Sequence, residues 1–176
     1  KSQWSNRMED TNRYEGKIET FSGVLFDLMN PKPTDVRLVD IAHALAATNR
    51  FGGHTKIPYS VAQHSVLCSK NCEFPEWALM HDASEAYVGD VTRPLKQMLG
   101  VLYKEIEMNI LHAIGTHFRL PSYEEYADSV KEVDNSLLVT EKRDLMPDNE
   151  WWYLQDVKPL TDEIKPWSFH EAKAAF

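Results

Sequence analysis

Between Trp77 and Ala83 the chain reads Trp77-Ala78-Leu79-Met80-His81-Asp82-Ala83, an apolar stretch that takes in a histidine and a carboxylate side by side. Two other segments repeat the intrusion. Val61, His64, Ser65 and Cys68 share one side of a helical segment that starts near Ser60, and Val130, Val133, Asp134, Leu137 and Leu138 form one stripe further along. A buried carboxylate without a partner is costly or takes up a proton. Three apolar faces that each carry a polar group therefore ask for one counter-charge, which restricts the chain to folds that pack those three helices around a common point. A divalent cation held by His64, His81, Asp82 and Asp134 meets that demand. Taken singly, His64 reads as a satisfied core histidine, Asp134 as a cap or a lysine partner, and Glu85 as a solvated helix residue. Their joint occurrence favours one site over three private explanations.

The punctuation of the chain gives the elements. Residues 1–14 are polar and expected to be loose. Beta-formers around Ser22-Gly23, followed by Asn30-Pro31-Lys32-Pro33, predict a short hairpin within residues 18–27. Helices are expected from Thr34 to Thr48, stopped by Gly52-Gly53; from Ser60, as cap, to Asn71; and from Pro75 to Tyr87, closed by Gly89. Pro94 opens a segment that merges with, or bends before, a helix carrying Leu102, Ile106, Ile110 and Ile114, its end weakened by Gly115. Ser122-x-x-Glu125 reads as a capping box for a long helix reaching about Arg143. The tail 145–176, with Pro147, Pro159 and Pro166 between Trp151, Trp152 and Trp167, is expected to wrap the core as loops and one short helix. The fold class is mainly α, a single domain over residues 1–176 with one small β element near its start.

A chain of 176 residues with 43% apolar and 11% aromatic residues can build a sizeable core. The 19 Lys and Arg against 27 Asp and Glu give a net charge of −8, with no basic run beyond Lys142-Arg143, which excludes the footprint of a nucleic-acid polymer binder. An anionic small molecule stays admissible, because a metal or a few local cations reverse the field inside one cleft. Cys68 and Cys72 read as reduced thiols, no apolar run approaches the ~20 residues of a membrane span, and the expected location is cytoplasmic.

Two imidazoles and two carboxylates suit Co, Mn, Zn, Fe or Ni rather than Ca. Four protein ligands leave positions for a water, acidified by the ion, and for a substrate oxygen. Glu85, one turn after His81, is placed to polarise that water or carry a proton.

The order His64, His81-Asp82, Asp134 resembles the signature of the HD-domain metal-dependent phosphohydrolases, an all-helical family. The strings Val61-Ala62-Gln63-His64-Ser65, His81-Asp82-Ala83-Ser84-Glu85 and Gly89-Asp90-Val91-Thr92-Arg93-Pro94-Leu95-Lys96 are similar to bacterial 5′-deoxynucleotidases and to small phage dATP triphosphohydrolases, over roughly residues 20–140. The resemblance implies an HD-type helical bundle, His64, His81, Asp82 and Asp134 as metal ligands, and Glu85 with Asp82 in the catalytic role. It implies Arg50 and Lys96 as phosphate holders, Phe51 where the nucleotidases have Trp, and Asp90 on the sugar side. His54 is open between a second metal, substrate contact and an ordinary surface loop.

The implied reaction is attack of a water on the ion at the α-phosphorus of a 2′-deoxyribonucleotide, releasing the deoxynucleoside. The preferred substrate is dATP, with dADP and dAMP beside it; the alternative is a broad 5′-deoxynucleotidase acting on monophosphates. Signalling-nucleotide hydrolysis and a non-catalytic acidic helical binding module are further alternatives. The resemblance also implies a homo-oligomer, and a host-cell cytoplasm if the source is viral. Gly52-Gly53 is no phosphate loop, lacking both a preceding strand and a G-x-x-x-x-G-K pattern. His43 and His112 read as packing or solvent residues, and the tail tryptophans as core or interface.

Overall fold

A computed structural model of the chain describes residues 15–148, 154 and 156–176. The expectations for residues 1–14 and for Trp151 and Trp152 lie outside the described residues. The hairpin forms where the β-formers lie: β1 (Lys17–Glu19) pairs antiparallel with β2 (Leu25–Asp27), Ile18 opposite Phe26. Its turn is held from below. Asp40 accepts from the Thr20 and Ser22 hydroxyls, both at 2.8 Å, and from the Ser22 amide at 2.7 Å. The rest of the described chain is helical or irregular, so the fold is mainly α with one hairpin.

The first helix, α1 (Leu38–Ala47), starts four residues later than the pattern suggests. Pro33–Asp35 makes a single 3-10 turn, after which Val36 and Arg37 are extended. Burying Val36 completely in the core, with Arg37 Nη1 donating to the Thr34 and Val36 carbonyls at 2.6 and 2.9 Å, outweighs helical continuity there. Nor do Gly52-Gly53 stop this helix. Thr48 is already extended, and the chain runs as a short bridge against residues 59–61, with the Arg50 amide on the Tyr59 carbonyl at 2.9 Å.

Ser60 caps α2 (Val61–Asn71) as expected, its hydroxyl accepting from the Gln63 amide at 3.2 Å. The predicted helix from Pro75 to Tyr87 is two pieces, α3 (Pro75–Met80) and α4 (Glu85–Val88), joined by tightened turns at 81–84 and ended by Gly89 at φ 81°. Three-residue bonds, Ala83 amide to Met80 carbonyl and Glu85 amide to Asp82 carbonyl at 2.9 and 3.0 Å, replace the α-helical ladder. The next expected bend falls at Gly100, φ 74°, between α5 (Arg93–Leu99) and α6 (Val101–Phe118). Gly115 does not weaken α6, which runs on through it. The Trp77 indole lies so close that a Cβ at residue 115 would meet its Cη2 at 2.8 Å.

The predicted capping box at Ser122 and Glu125 does not form. Ser122 gives its hydroxyl to Glu124, Tyr123–Glu125 is a 3-10 turn, and α7 (Ala127–Leu145) starts one turn later. Edge contacts of Tyr123 on Trp77 and Tyr126 on Phe74, with centroids at 5.1 and 4.5 Å, hold the chain in that turn. The same sequence pattern forms its box elsewhere: Ser168 and Glu171 bond reciprocally to start α8 (Phe169–Ala175). The described part of the tail runs as irregular chain and one short helix, tied to α2 and α7 by polar anchors. Its Leu160 and Ile164 amides donate to Thr140 Oγ1 and Asp144 Oδ2, both at 2.8 Å, and Gln63 clasps the Lys165 carbonyl and the Trp167 amide.

One apolar cluster joins these elements, with Val36, Ile41, Leu45, Ile110, Ile114, Val130 and Leu137 at its centre. Among the described residues no helix is long and apolar enough to cross a membrane.

Candidate metal centre and its cavity

Three helical elements deliver the intruding polar residues to one point. His64 comes from the middle of α2, His81 and Asp82 from the turn between α3 and α4, and Asp134 from the second turn of α7. Each imidazole has its Nδ1 committed away from that point. His64 Nδ1 lies 2.6 Å from Glu141 Oε1, and His81 Nδ1 lies 2.7 Å from the Ala78 carbonyl. A carbonyl and an ionised carboxylate only accept, so both Nδ1 atoms carry protons and donate. Both Nε2 atoms then face each other at 3.3 Å. Asp134 Oδ1 stands 3.3 Å from His64 Nε2, and Asp82 Oδ2 stands 3.5 and 3.2 Å from the Nε2 atoms of His64 and His81.

Two neutral imidazoles cannot share that arrangement comfortably, since two lone pairs would point at one another and at carboxylates. The electrostatics show the demand for cations. Burial opposes a charge on either ring, yet Asp82 raises His81 to about 9, and the Cys68, Glu141 and Asp134 groups carry His64 well above its ordinary value. Asp82 and Asp134 in turn stay well below the usual carboxylate range despite burial, chiefly through the two imidazoles. A divalent ion supplies the same positive charge that two ring protons supply, and the donor set of nitrogens and carboxylate oxygens fits one.

The cluster opens on a cavity of about 450 Å³, within the usual range for small-molecule sites. Asp82 and Asp134 form part of its wall, so the carboxylates stand between the cavity and the buried imidazoles. Arg50 and Lys96 line it too. Arg50 grips Glu141 Oε2 through Nε and Nη2 at 3.2 and 3.1 Å and reaches Asp82 with Nη1 at 3.4 Å. Lys96 bonds Glu85 at 3.1 Å and Glu107 at 2.8 Å. Burial, with Asp82 and Asp90 nearby, pushes the Glu85 carboxyl up to about 8 in spite of Lys96, and Glu85 Oε2 has no partner among the described residues.

The family models that were compared give no match to this sequence. Individual relatives do match. The chain is 41% identical over 148 residues, 82% of each chain, to the uncharacterized protein YfdR of Escherichia coli strain K12. It belongs to the YfdR family. A second uncharacterized protein, from Rhodobacter capsulatus, is 38% identical over 112 residues, 57% of each chain.

In this member of the YfdR family, then, every residue predicted for the site except His54 lies in the histidine–carboxylate cluster or on the cavity wall: His64 and His81 in the first, Arg50, Phe51, Asp82, Glu85, Asp90, Lys96 and Asp134 on the second. Phe51 sits there in a left-handed conformation, φ 56° and ψ 28°, followed by Gly52 and Gly53 also at positive φ. Left-handed backbone is costly for an aromatic residue and marks a turn held by its surroundings. His54 is exposed beside Gly52 and does not line the cavity.

Two residues of the cluster escaped the sequence reading. Glu141, completely buried, orients His64 and neutralises Arg50; it lies seven residues, two turns, after Asp134 on the same face of α7. Cys68 places its Sγ 3.6 Å from His64 Nε2, and His64, Cys68, His81 and Asp134 each offer a ligand atom within 4.8 Å of the others. Lys131, beside Asp134, adds a further cation to the cavity wall.

Proposed function

We propose that this chain is a divalent-metal-dependent phosphohydrolase of the HD type acting on 2′-deoxyribonucleotides, with dATP as preferred substrate and dADP and dAMP beside it. The observation that carries the reading is the pair of Nε2 atoms facing each other at 3.3 Å, flanked by two carboxylates that line a cavity also presenting Arg50, Lys96 and Lys131. His64, His81, Asp82 and Asp134 would hold the ion. When bound, the ion supplies Lewis acidity at the phosphate and lowers the pKa of a water.

The chain's own groups do the rest. Glu141 keeps the Nδ1 proton of His64 in place, so Nε2 is the atom that points inward. Arg50, anchored by Glu141, and Lys96, anchored by Glu107, bring positive charge to the non-bridging phosphate oxygens without having to be ordered on binding. Water adds to the α-phosphorus as the bond to the 5′-oxygen breaks, and that oxygen leaves with a proton on the deoxynucleoside. Glu85, with a carboxyl that titrates near neutrality, is the group suited to hand over or receive that proton at Oε2. The same displacement releases phosphate from a monophosphate and tripolyphosphate from dATP.

The test offers dAMP, dADP, dATP and the other deoxynucleotides to the purified chain with manganese, and separates the products by chromatography. Tripolyphosphate and deoxyadenosine from dATP, lost in Asp82→Ala, are expected. Release of inorganic phosphate from monophosphates alone would replace the triphosphohydrolase with a broad 5′-deoxynucleotidase. Absence of both hydrolysis and bound metal would leave an acidic helical binding module.

A further inference from the structure

Cys68 stands at the buried end of the same cluster, fully enclosed, one helical turn after His64 on α2. Its distance from His64 matches an edge of the tetrahedron around an ion. Bonds of about 2.0–2.1 Å to nitrogen and about 2.3 Å to sulfur give edges of about 3.3 Å between two nitrogens and about 3.6 Å between nitrogen and sulfur. The His64–His81 nitrogen pair is 3.3 Å apart, His64 Nε2 to Asp134 Oδ1 is 3.3 Å, and His64 Nε2 to Cys68 Sγ is 3.6 Å. Asp82 stands on the cavity side of the cluster. Its side chain is 21% exposed, lines the cavity and is already engaged by Arg50, whereas Cys68 has no exposure at all.

We propose that Cys68 is a metal ligand for thiophilic ions, so that His64, His81 and Asp134 serve two alternative cages: one closed by Cys68 on the buried side, the other completed by Asp82 on the cavity side. This rests on the metal-centre reading above and adds a choice between ions to it. A soft or borderline ion such as zinc or cobalt gains a thiolate and a four-coordinate shell with no vacant position. A hard ion such as manganese gains little from sulfur and stays with the Asp82 carboxylate, where the cavity supplies its remaining ligands.

Cobalt(II) alone is the probe, added to the metal-free full chain as wild type, Cys72→Ser and Cys68→Ser. One cobalt per chain with a near-ultraviolet sulfur-to-cobalt charge-transfer band and intense visible absorption is expected in the wild type. Cys72→Ser, altering the neighbouring thiol outside the cluster, keeps the band. Cys68→Ser loses it and binds zinc more weakly by at least the ~10–100-fold that loss of a supporting group alone costs a metal site, while manganese affinity is unchanged. Because the band is read on the wild type, the outcome does not depend on how well Cys68→Ser folds. One cobalt bound per wild-type chain without the band overturns the role of Cys68 and leaves the proposed function standing; no cobalt bound at all overturns both.

Discussion

Glu141 touches neither the cavity nor the ion position, yet both imidazole tautomer and arginine placement pass through its two oxygens. Removing its charge leaves a buried arginine short of a partner and lets the His64 ring turn. Glu141→Gln is therefore expected to weaken metal binding by roughly 10–100-fold, measured by competition against a chromophoric chelator. Unchanged affinity would mean that His64 is oriented by packing alone. Glu85→Gln makes a contrasting case: metal content should be retained while kcat falls by about 10²–10⁴, the usual contribution of a positioned proton carrier. Gly115 is the clearest packing position. A methyl there meets a Trp77 ring that is itself pinned through Nε1 to the Pro121 carbonyl at 3.0 Å. Overpacking of this kind costs about 1–3 kcal/mol, more than the up to about 1 kcal/mol that alanine adds in helix propensity. Gly115→Ala should lower the urea midpoint, and an unchanged or higher midpoint would show that the indole can move aside.

At the level of elements, the C-terminal tail depends on a few polar anchors on α7. Arg143 donates to the Leu160 and Asp162 carbonyls at 2.8 and 2.9 Å, while Asp144 takes the Ile164 amide and the Arg143 guanidinium. The bond from Arg143, joined by the Ile164 amide, holds the Asp144 carboxyl below its ordinary value. A depressed carboxylate adds stability that is present above its unfolded pKa, near 3.8, and disappears as pH falls through the folded value. Amide exchange in residues 160–168 should accordingly accelerate in strongly acidic solution and, at neutral pH, in Asp144→Asn; equal protection in variant and wild type would place tail docking on Ile164 and Trp167 alone. The elements also show where sequence reading stops. Ser60 and Ser122 look alike as caps, but only Ser60 caps, because Tyr123 and Tyr126 find aromatic partners that no local rule can see. His64, His81, Asp82 and Asp134 were legible because a polar group on an apolar stripe is an anomaly. Cys68 on the same stripe is not an anomaly, since a thiol passes for a small apolar side chain, and Glu141 sits close enough to the charged end of α7 to pass for surface.

For the molecule as a whole, the centre ties α2, the turn before α4, and α7 together, so metal bound there counts toward stability. A ligand that binds only the folded state at a hundred times its Kd adds about 2.7 kcal/mol. Chelation should lower the Tm measurably, restored cobalt or manganese should raise it again, and Asp134→Asn should show a smaller difference between the two conditions. A Tm indifferent to chelator and to added metal would count against any ion linking these helices. The net charge of −8 belongs to the molecule as a whole, whereas the cavity wall sets Arg50, Arg93, Lys96 and Lys131 against Asp82, Glu85, Asp90 and Asp134, so the acidic excess lies outside the cavity.

The contacts of Glu141 with His64 and Arg50 span 77 and 91 residues of chain. Closures of that length come late in the assembly of a chain, after the local turns and neighbouring helices have formed. During synthesis, none of the cluster can be complete until α7 has emerged and docked. Chains that end before Asp134 thus lack one of the candidate ligands, and an ion held by the complete set would be acquired by a folded molecule instead of templating the first half of one.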